Sequence, residues 1–237
     1  QLILNDPDQY SRLYEDAPEG KIRGEASTSY LYSERAPEAI LKHNPDTRLI
    51  AILRNPAERA FSHYTMALKY GYTTDDFLTA LQKDQAKKKK GWGQSELFLE
   101  LGHYDEQLER YNHYFPREQI HIVIYEEWRA QPQKTMNGVT GFLKTTPLKL
   151  PEQKTYNVGE TPRFALVNRW IHQLGLRQYL ADRLPPTLKK NMRSWYLKPK
   201  AADMMTSETR VWLQQYYTPR INKLEELLKQ DLSVWNK

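Results

Sequence analysis

One strand–turn–helix segment constrains the fold of this chain more than any other part of its sequence. The apolar run Leu49–Leu53 predicts a β-strand that is covered on both faces. Asn55 and Pro56 then follow as a helix N-cap and a first helical residue, and Glu58 lies three residues after the cap. Arg54 is thereby placed at the carboxyl end of a strand and beside the free N–H groups of a helix N-terminus, where anions bind.

Further apolar segments extend this unit into a sheet. Gln119–Tyr125 predicts a second buried strand, and segments with helical periodicity lie between and after the two strands. Strands that alternate with helices predict βαβ units and a parallel sheet, and therefore an α/β fold. The other predicted elements are a short strand at Lys21–Ser27 and helices at Glu34–His43, Pro56–Tyr70, Asp75–Lys83, Tyr104–Phe115, Gln131–Leu143, Ala165–Leu174 and Ser207–Leu228.

The composition limits the chemistry that this chain can perform. The 237 residues include no cysteine, which excludes disulfides, a thiolate nucleophile and a cysteine-ligated zinc. No apolar run approaches the ~20 residues of a membrane-spanning helix. The formal charge of +6 favours an anionic ligand. Nucleic acid is not an expected partner, because the basic residues are dispersed and no recognition motif occurs.

The segment Arg54-Asn55-Pro56, with Ser62 two helical turns later, resembles the 3′-phosphate-binding segment of sulfotransferases that use 3′-phosphoadenosine 5′-phosphosulfate (PAPS). The resemblance implies that Arg54 and Ser62 hold the 3′-phosphate of this donor. The chemistry agrees, because a guanidinium offers phosphate a planar fork of donors and serine offers a hydroxyl. Arg59, on the same helix face, is expected to be a structural ion-pair partner, with contact to the ligand as the alternative.

Three further segments are similar to the same family, in the family's order along the chain. Gly24–Leu31 resembles the segment before the phosphate site in bacterial members and in heparan sulfate sulfotransferases. Gly102–Glu127 resembles the later helix–strand unit, and Leu213–Trp235 resembles the terminal helix of bacterial members. The resemblance implies a P-loop-like three-layer fold, in which helices flank a central parallel sheet and a helical region follows. We expect a single domain over residues 1–237, with an irregular lead-in (1–20), an α/β core (21–145), and a nucleotide-covering loop with C-terminal helices (146–237).

The resemblance also implies the reaction and further site residues. PAPS is the expected donor and 3′-phosphoadenosine 5′-phosphate (PAP) the product, with a hydroxyl or amine of a carbohydrate, lipid or small molecule as acceptor and no metal.

Arg163 falls where relatives fold a loop over the nucleotide, and is expected to contact phosphate. Glu25 is expected to act as base or to orient the acceptor, with pairing to a core arginine as the alternative. Ala26 stands where heparan-type relatives often have lysine, which disfavours a strict heparan-type mechanism. His103 precedes a helix that borders the acceptor cleft in relatives and is a second candidate base.

One element of the family has no counterpart in these residues. The family's 5′-phosphosulfate cradle is a strand, a glycine-rich loop with Lys and Thr, and a helix; here Gly91-Trp92-Gly93 follows no strand. Because the sequence begins with Gln1, we expect the cradle to lie upstream, and a bacterial form of the protein to be cytoplasmic. Two alternatives stay open: a catalytically incomplete nucleotide-binding or scaffold protein of this fold, and a P-loop kinase, for which a Walker motif is missing. The lysine run Lys87–Lys90 predicts a solvated surface loop, or a site that attracts an anionic glycan.

Overall fold

Two parallel strands form the centre of the fold. The computed structural model describes residues 7–88, 90–91, 96–151, 160–162, 170, 174, 197–199 and 205–236. Strand β1 (Leu49–Leu53) pairs with β2 (Ile120–Ile124), and the register places Leu49 opposite Ile120 and Leu53 opposite Ile124. This pairing confirms the parallel sheet that the sequence predicts.

Helices surround this strand pair. They are α1 (Pro7–Arg12), α2 (Ala36–His43), α3 (Pro56–Tyr70), α4 (Phe77–Ala86), α5 (Tyr104–Tyr114), α6 (Tyr125–Ala130), α7 (Pro132–Leu143) and α8 (Ser207–Leu228). Short 3-10 helices lie at Glu100–Gly102, Arg117–Gln119 and Ser233–Asn236, and β3 (Glu160–Pro162) pairs antiparallel with β4 (Leu197–Pro199). The bounds of α2, α3, α4, α5, α7 and α8 lie within three residues of the predicted ones.

The ends of α3 follow from local chemistry. The side chain of Asn55 accepts hydrogen bonds from the backbone N–H groups of Ala57 (3.0 Å) and Glu58 (3.3 Å), which satisfies two donors of the first turn. The helix ends at Gly71, whose φ of 79° is the left-handed conformation that glycine adopts without strain. These signals are local, and the sequence therefore predicts both ends of this helix correctly.

Two apolar clusters hold the helices to one another and to the sheet. The first joins α3 and α4 to α8, and the second packs α5 and α8 against the carboxyl ends of both strands. Buried members of the second cluster are Leu53, Tyr104, Leu108, Ile124, Leu224, Leu232 and Trp235. On the other face of the sheet, α7 packs on β2, where the rings of His121 and Phe142 stack with centroids 5.1 Å apart. Helices thus flank the sheet on both faces, as the α/β fold requires.

Gly102 lies where α8 meets the start of α3. A Cβ atom at this position would be 2.8 Å from the Tyr217 hydroxyl oxygen and 3.1 Å from Cβ of Pro56. A side chain would therefore push the first turn of α3 away from α8. The absence of a side chain lets the C-terminal helix approach the segment that carries Arg54.

The predicted burial of β1 on both faces is wrong. Ile50 is 40% exposed and Ile52 is 63% exposed, whereas Leu53 is fully buried. The clusters under α5 and α8 cover the side of β1 that carries Leu53, while α7 covers the opposite side of β2 rather than of β1. Apolarity alone could not reveal which half of a sheet face lies under a helix.

Two further predictions differ from the structure. Residues 21–27 form no strand, and Ile22 is 59% exposed, because a single apolar residue in a polar segment offers no face to bury. Strand β2 ends at Ile124 and helix α6 begins directly at Tyr125, whereas the sequence predicts a strand through Tyr125 and no helix before Gln131. The predicted helix at Ala165–Leu174 lies outside the described residues except for positions 170 and 174.

Candidate functional site

Arg54 lies at the carboxyl edge of the strand pair, beside the residue that follows the other strand. Parallel strands share this edge, so Arg54 after β1 and Tyr125 after β2 emerge next to each other. The Arg54 guanidinium lies over the Tyr125 ring, with its carbon 5.2 Å from the ring centroid. The Arg54 side chain is 32% exposed. A fixed guanidinium that faces solvent at this edge can bind an anion.

The turn after Arg54 is anchored by Glu126 and Trp235. Glu126 accepts hydrogen bonds from the Asn55 backbone N–H (3.0 Å) through Oε1 and from the Trp235 indole N–H (2.8 Å) through Oε2. The Asn55 side chain in turn donates to the Trp235 carbonyl at 2.8 Å. Residues from two distant parts of the chain therefore hold Asn55, the residue next to Arg54. The position of Arg54 depends on the C-terminal segment as well as on its own strand.

Glu58 lies within ion-pairing distance of two arginines. Its Oε2 is 3.7 Å from Nη2 of Arg54, and its Oε1 is 3.1 Å from Nη1 of Arg210, which comes from α8. The three side chains are about one third to one half exposed. Arg210 is a basic residue at this site that the sequence reasoning missed, because nothing local connects α8 with α3.

Ser62 and Arg59 lie on the same side of α3 as Asn55, the residue that caps its first turn. Ser62 is half-buried, two helical turns beyond Arg54. The Arg59 guanidinium donates to the backbone carbonyl of Phe98. Its observed partner is a carbonyl and not a carboxylate, so the predicted ion pair is replaced by a hydrogen bond that ties α3 to the segment before α5. Arg59 has a structural contact, whereas Ser62 stays a predicted phosphate ligand.

The segment expected to cover the nucleotide approaches α3. The backbone of β3, residues 160–162, lies beside α3. Arg163 follows β3 directly in the sequence but lies outside the described residues. Its expected contact with phosphate therefore stays a prediction.

Glu25 is an exposed carboxylate in an irregular segment. It accepts a hydrogen bond from the Tyr30 hydroxyl at 2.5 Å, and this bond, followed by burial, raises the pKa of Tyr30 to about 12. Among the described residues no hydrogen bond or ion pair joins Glu25 to Arg54, Ser62 or His103. The alternative prediction, an ion pair between Glu25 and a core arginine, is also not observed among the described residues. Glu25 is held by a tyrosine and its catalytic role stays a prediction.

His103 is a buried residue at the start of α5. It is 9% exposed, and its Nε2 lies 2.9 Å from the Tyr216 hydroxyl oxygen on α8. Burial, and secondarily the positive charge of Arg220, lower the pKa of His103 to about 4. The imidazole is therefore neutral at neutral pH and bonded to a neighbouring helix, which places it inside the packing between α5 and α8.

This burial makes the stability of the protein sensitive to acid. A histidine side chain has an ordinary pKa of 6.5, and the pKa of His103 is about 4 in the folded protein. The unfolded chain therefore takes up a proton first as pH falls. Stability should decline from pH 6.5 to pH 4, by about 3 kcal/mol for this residue alone. His103→Gln should remove this part of the decline in urea unfolding measured across that range. The matched variant at the exposed His113, His113→Gln, should retain it, and equal pH profiles for the two variants would contradict the assignment.

Two described lysines of the run Lys87–Lys90 are paired with carboxylates. Nζ of Lys87 lies 3.1 Å from Oε2 of Glu96, and Nζ of Lys90 lies 3.2 Å from Oε1 of Glu100. Their side chains are only 24% and 23% exposed, and Lys88 remains exposed. Two of the lysines are thus already neutralised by carboxylates of this chain, which weakens the predicted glycan attraction.

Tyr125, Glu126 and Trp235 also belong to the site. Tyr125 and Glu126 follow the second strand directly, and the shared edge of parallel strands is a signal that could have identified them from the sequence. Trp235 has no comparable signal, because its contact with Glu126 joins residues 109 positions apart.

In the part of the chain that the structure describes, no group of His, Asp and Glu has an arrangement that could hold a metal ion. No helix there is both long and apolar enough to cross a membrane.

Paired parallel strands flanked by helices, with an arginine at their carboxyl edge beside a capped helix start, define an α/β protein. The sulfotransferase domain family matches residues 21–159, and the chain belongs to this family. Its fold is also similar to the crystal structure of a sulfotransferase from Alicyclobacillus acidocaldarius, with a TM-score of 0.69 and 22% identity, over 99% of this chain and 75% of that one.

Curated relatives include heparan sulfate enzymes. The chain is 30% identical over 127 residues to the bifunctional heparan sulfate N-deacetylase/N-sulfotransferase of Drosophila melanogaster, covering 52% of this chain and 12% of that protein. It is 29% identical over 136 residues to human heparan sulfate glucosamine 3-O-sulfotransferase 3B1, covering 56% of this chain and 34% of that protein. The match to human bifunctional heparan sulfate N-deacetylase/N-sulfotransferase 3 covers 89% of this chain at 27% identity, and 23% of that protein. The chain thus spans about a third or less of these relatives.

Proposed function

We propose that this chain binds PAPS and takes part in the transfer of its sulfuryl group to a hydroxyl or amine. The observation that carries the proposal is the Arg54 guanidinium, partly exposed at the carboxyl edge of the sheet in a chain of the sulfotransferase domain family. Arg54 would hold the 3′-phosphate with its fork of N–H donors, and Ser62 would add a hydroxyl. The neighbouring N–H groups of α3 are partly occupied by Asn55, so the side chains carry most of the recognition.

The acceptor is proposed to be a carbohydrate, a lipid or a small alcohol. Relatives of this chain are enzymes of heparan sulfate, which makes a glycan the first acceptor class to test. The net charge of +6 would favour an anionic glycan over a neutral one.

Sulfuryl transfer resembles phosphoryl transfer, in which positioning and charge neutralisation supply most of the catalysis. The acceptor must also lose a proton to a base. We assign this role to Glu25 ahead of His103, because Glu25 is exposed whereas His103 is buried and bonded to Tyr216. His103 then has a packing role, and Glu25 has the surface access that an acceptor needs.

Donor binding and sulfate transfer are separate properties in this proposal. Arg54 and Ser62 would supply the 3′-phosphate side of the donor pocket, whereas the resemblance assigns the 5′-phosphosulfate to a glycine-rich loop that these 237 residues do not contain. Nucleotide binding therefore tests this chain directly. Binding without transfer to any acceptor would support the alternative, a nucleotide-binding or scaffold protein of the same fold.

Isothermal titration calorimetry with PAP tests the proposal. We expect wild-type protein to bind and Ser62→Ala to bind about tenfold more weakly, because a hydrogen bond to a charged group contributes about 1.5–3 kcal/mol and water replaces part of it. Ser207→Ala, at an exposed position on α8, serves as the control and should bind as the wild type does. A wild-type protein that shows no heat of binding at millimolar PAP would refute the proposed function.

A further inference from the structure

The ion pair between Glu58 and Arg54 places a carboxylate of the protein beside the proposed phosphate site. The separation of 3.7 Å between Oε2 and Nη2 is at the long end for an ion pair, and the Arg54 side chain has open access to solvent on one third of its surface. A phosphate that pairs with the Arg54 fork would therefore approach the Glu58 carboxylate as well. Like charges at such a distance repel, so bound phosphate and this position of Glu58 disfavour each other.

Arg210 gives Glu58 a second and closer partner. Its Nη1 lies 3.1 Å from Oε1, in hydrogen-bonding geometry, and it comes from the first turn of α8. Glu58 can thus leave Arg54 and keep an ion pair. The two guanidiniums and one carboxylate form a triad in which only the Arg54–Glu58 contact has to be given up when an anion binds.

We propose that Glu58 acts as an internal competitor for the nucleotide phosphate and that Arg210 draws it away from Arg54. This inference rests on the proposed function of Arg54 as the phosphate ligand. Glu58 weakens nucleotide affinity, which favours release of the product nucleotide, and Arg210 sets how strongly Glu58 competes. The position of α8 on α3 thereby tunes the affinity of the site at Arg54.

A simpler role for Glu58 makes different predictions. An acidic residue in the first turn of a helix stabilises that helix through its dipole, and this role alone would change stability without changing affinity. A direct contact of Arg210 with the nucleotide would make Arg210 important whether or not Glu58 is present. A double-mutant cycle separates these roles from competition.

The test is calorimetric titration of PAP into wild type, Glu58→Gln, Arg210→Ala and the double variant. Loss of the exposed ion pair and of the nearby negative charge both favour a bound phosphate, so Glu58→Gln should bind PAP about threefold to tenfold more tightly. Arg210→Ala should bind about twofold to fivefold more weakly, and this loss should vanish in the Glu58→Gln background. Glu109→Gln, which breaks an exposed pair with Lys223 on α5 and α8, is the matched control and should leave affinity unchanged.

Two results would overturn the competition. One is a Glu58→Gln affinity equal to or weaker than that of wild type, and the other is an Arg210→Ala loss of equal size in both backgrounds. Inorganic phosphate, titrated as a second probe, separates this inference from the proposed function. If PAP binds no variant but phosphate binds Glu58→Gln more tightly than wild type, the competition holds and the nucleotide assignment fails; if phosphate shows no such preference either, both fail.

Discussion

Arg54→Ala should reduce the affinity of the protein for PAP by about 100-fold or more. The variant removes a planar fork that can form two charge-assisted hydrogen bonds to one phosphate, each of which contributes about 1.5–3 kcal/mol. Its guanidinium is already oriented by the Tyr125 ring and by the anchored turn at Asn55, so little side-chain freedom is lost on binding. Isothermal titration calorimetry with PAP measures this directly.

Two variants make the Arg54 result specific. Arg54→Lys keeps the charge but loses the fork, and should retain binding that is intermediate between wild type and alanine. Arg117→Ala removes an equal charge from an exposed arginine before β2, at the opposite edge of the sheet, and should bind as wild type does. Thermal unfolding of all three should show folded proteins. An Arg54→Ala affinity within threefold of wild type would exclude Arg54 as the phosphate ligand.

Trp235→Ala should destabilise the protein by about 3–5 kcal/mol, the usual cost of removing a buried tryptophan. Trp235 is only 3% exposed, and its ring packs on Tyr104 with centroids 6.2 Å apart. Its indole N–H also donates to Glu126, which would lose one of its two partners in the variant. Urea unfolding followed by circular dichroism gives the free energy of unfolding for comparison with wild type.

Trp235→Phe separates packing from hydrogen bonding at this position. It keeps most of the apolar contact and removes only the donor to Glu126, so it should cost about 1–3 kcal/mol. Because Glu126 also holds the Asn55 backbone, both variants should weaken PAP binding less than Arg54→Ala does but more than the exposed Arg117→Ala. An unchanged urea midpoint for Trp235→Ala would show that the contacts of Trp235 with Tyr104 and Glu126 do not stabilise the fold.

Several elements of this fold could be predicted because their causes are local. The cap at Asn55, the proline after it and the glycine at position 71 determine the bounds of α3, and each acts within a few residues. The alternation of apolar strands with helices likewise predicts the parallel pair β1 and β2. The position of Arg54 at the edge of the sheet follows from these elements.

Other features were mispredicted or missed because they depend on what packs where. The apolar sequence of β1 predicts burial on both faces, but Ile52 remains exposed because α7 covers β2 instead. The place of His103 before α5 makes it a candidate base in the sequence, and only the approach of α8 shows that it is buried against Tyr216. The same approach brings Arg210 to Glu58 across 152 residues of sequence.

The sequence by itself determined the strand, the turn and the helix around Arg54, and with them the place of this arginine at a sheet edge. It determined the family too, since the matching segments occur in order along the chain. Only the tertiary structure decided the surroundings of that arginine. These are the Tyr125 ring under it, the Glu126–Trp235 hydrogen bond beside it, and the Glu58 carboxylate that it shares with Arg210. The physical reason is the distance along the chain over which each interaction acts. Caps and strand periodicity act over a few residues, whereas ion pairs and ring contacts depend on helices whose placement is determined by the whole core.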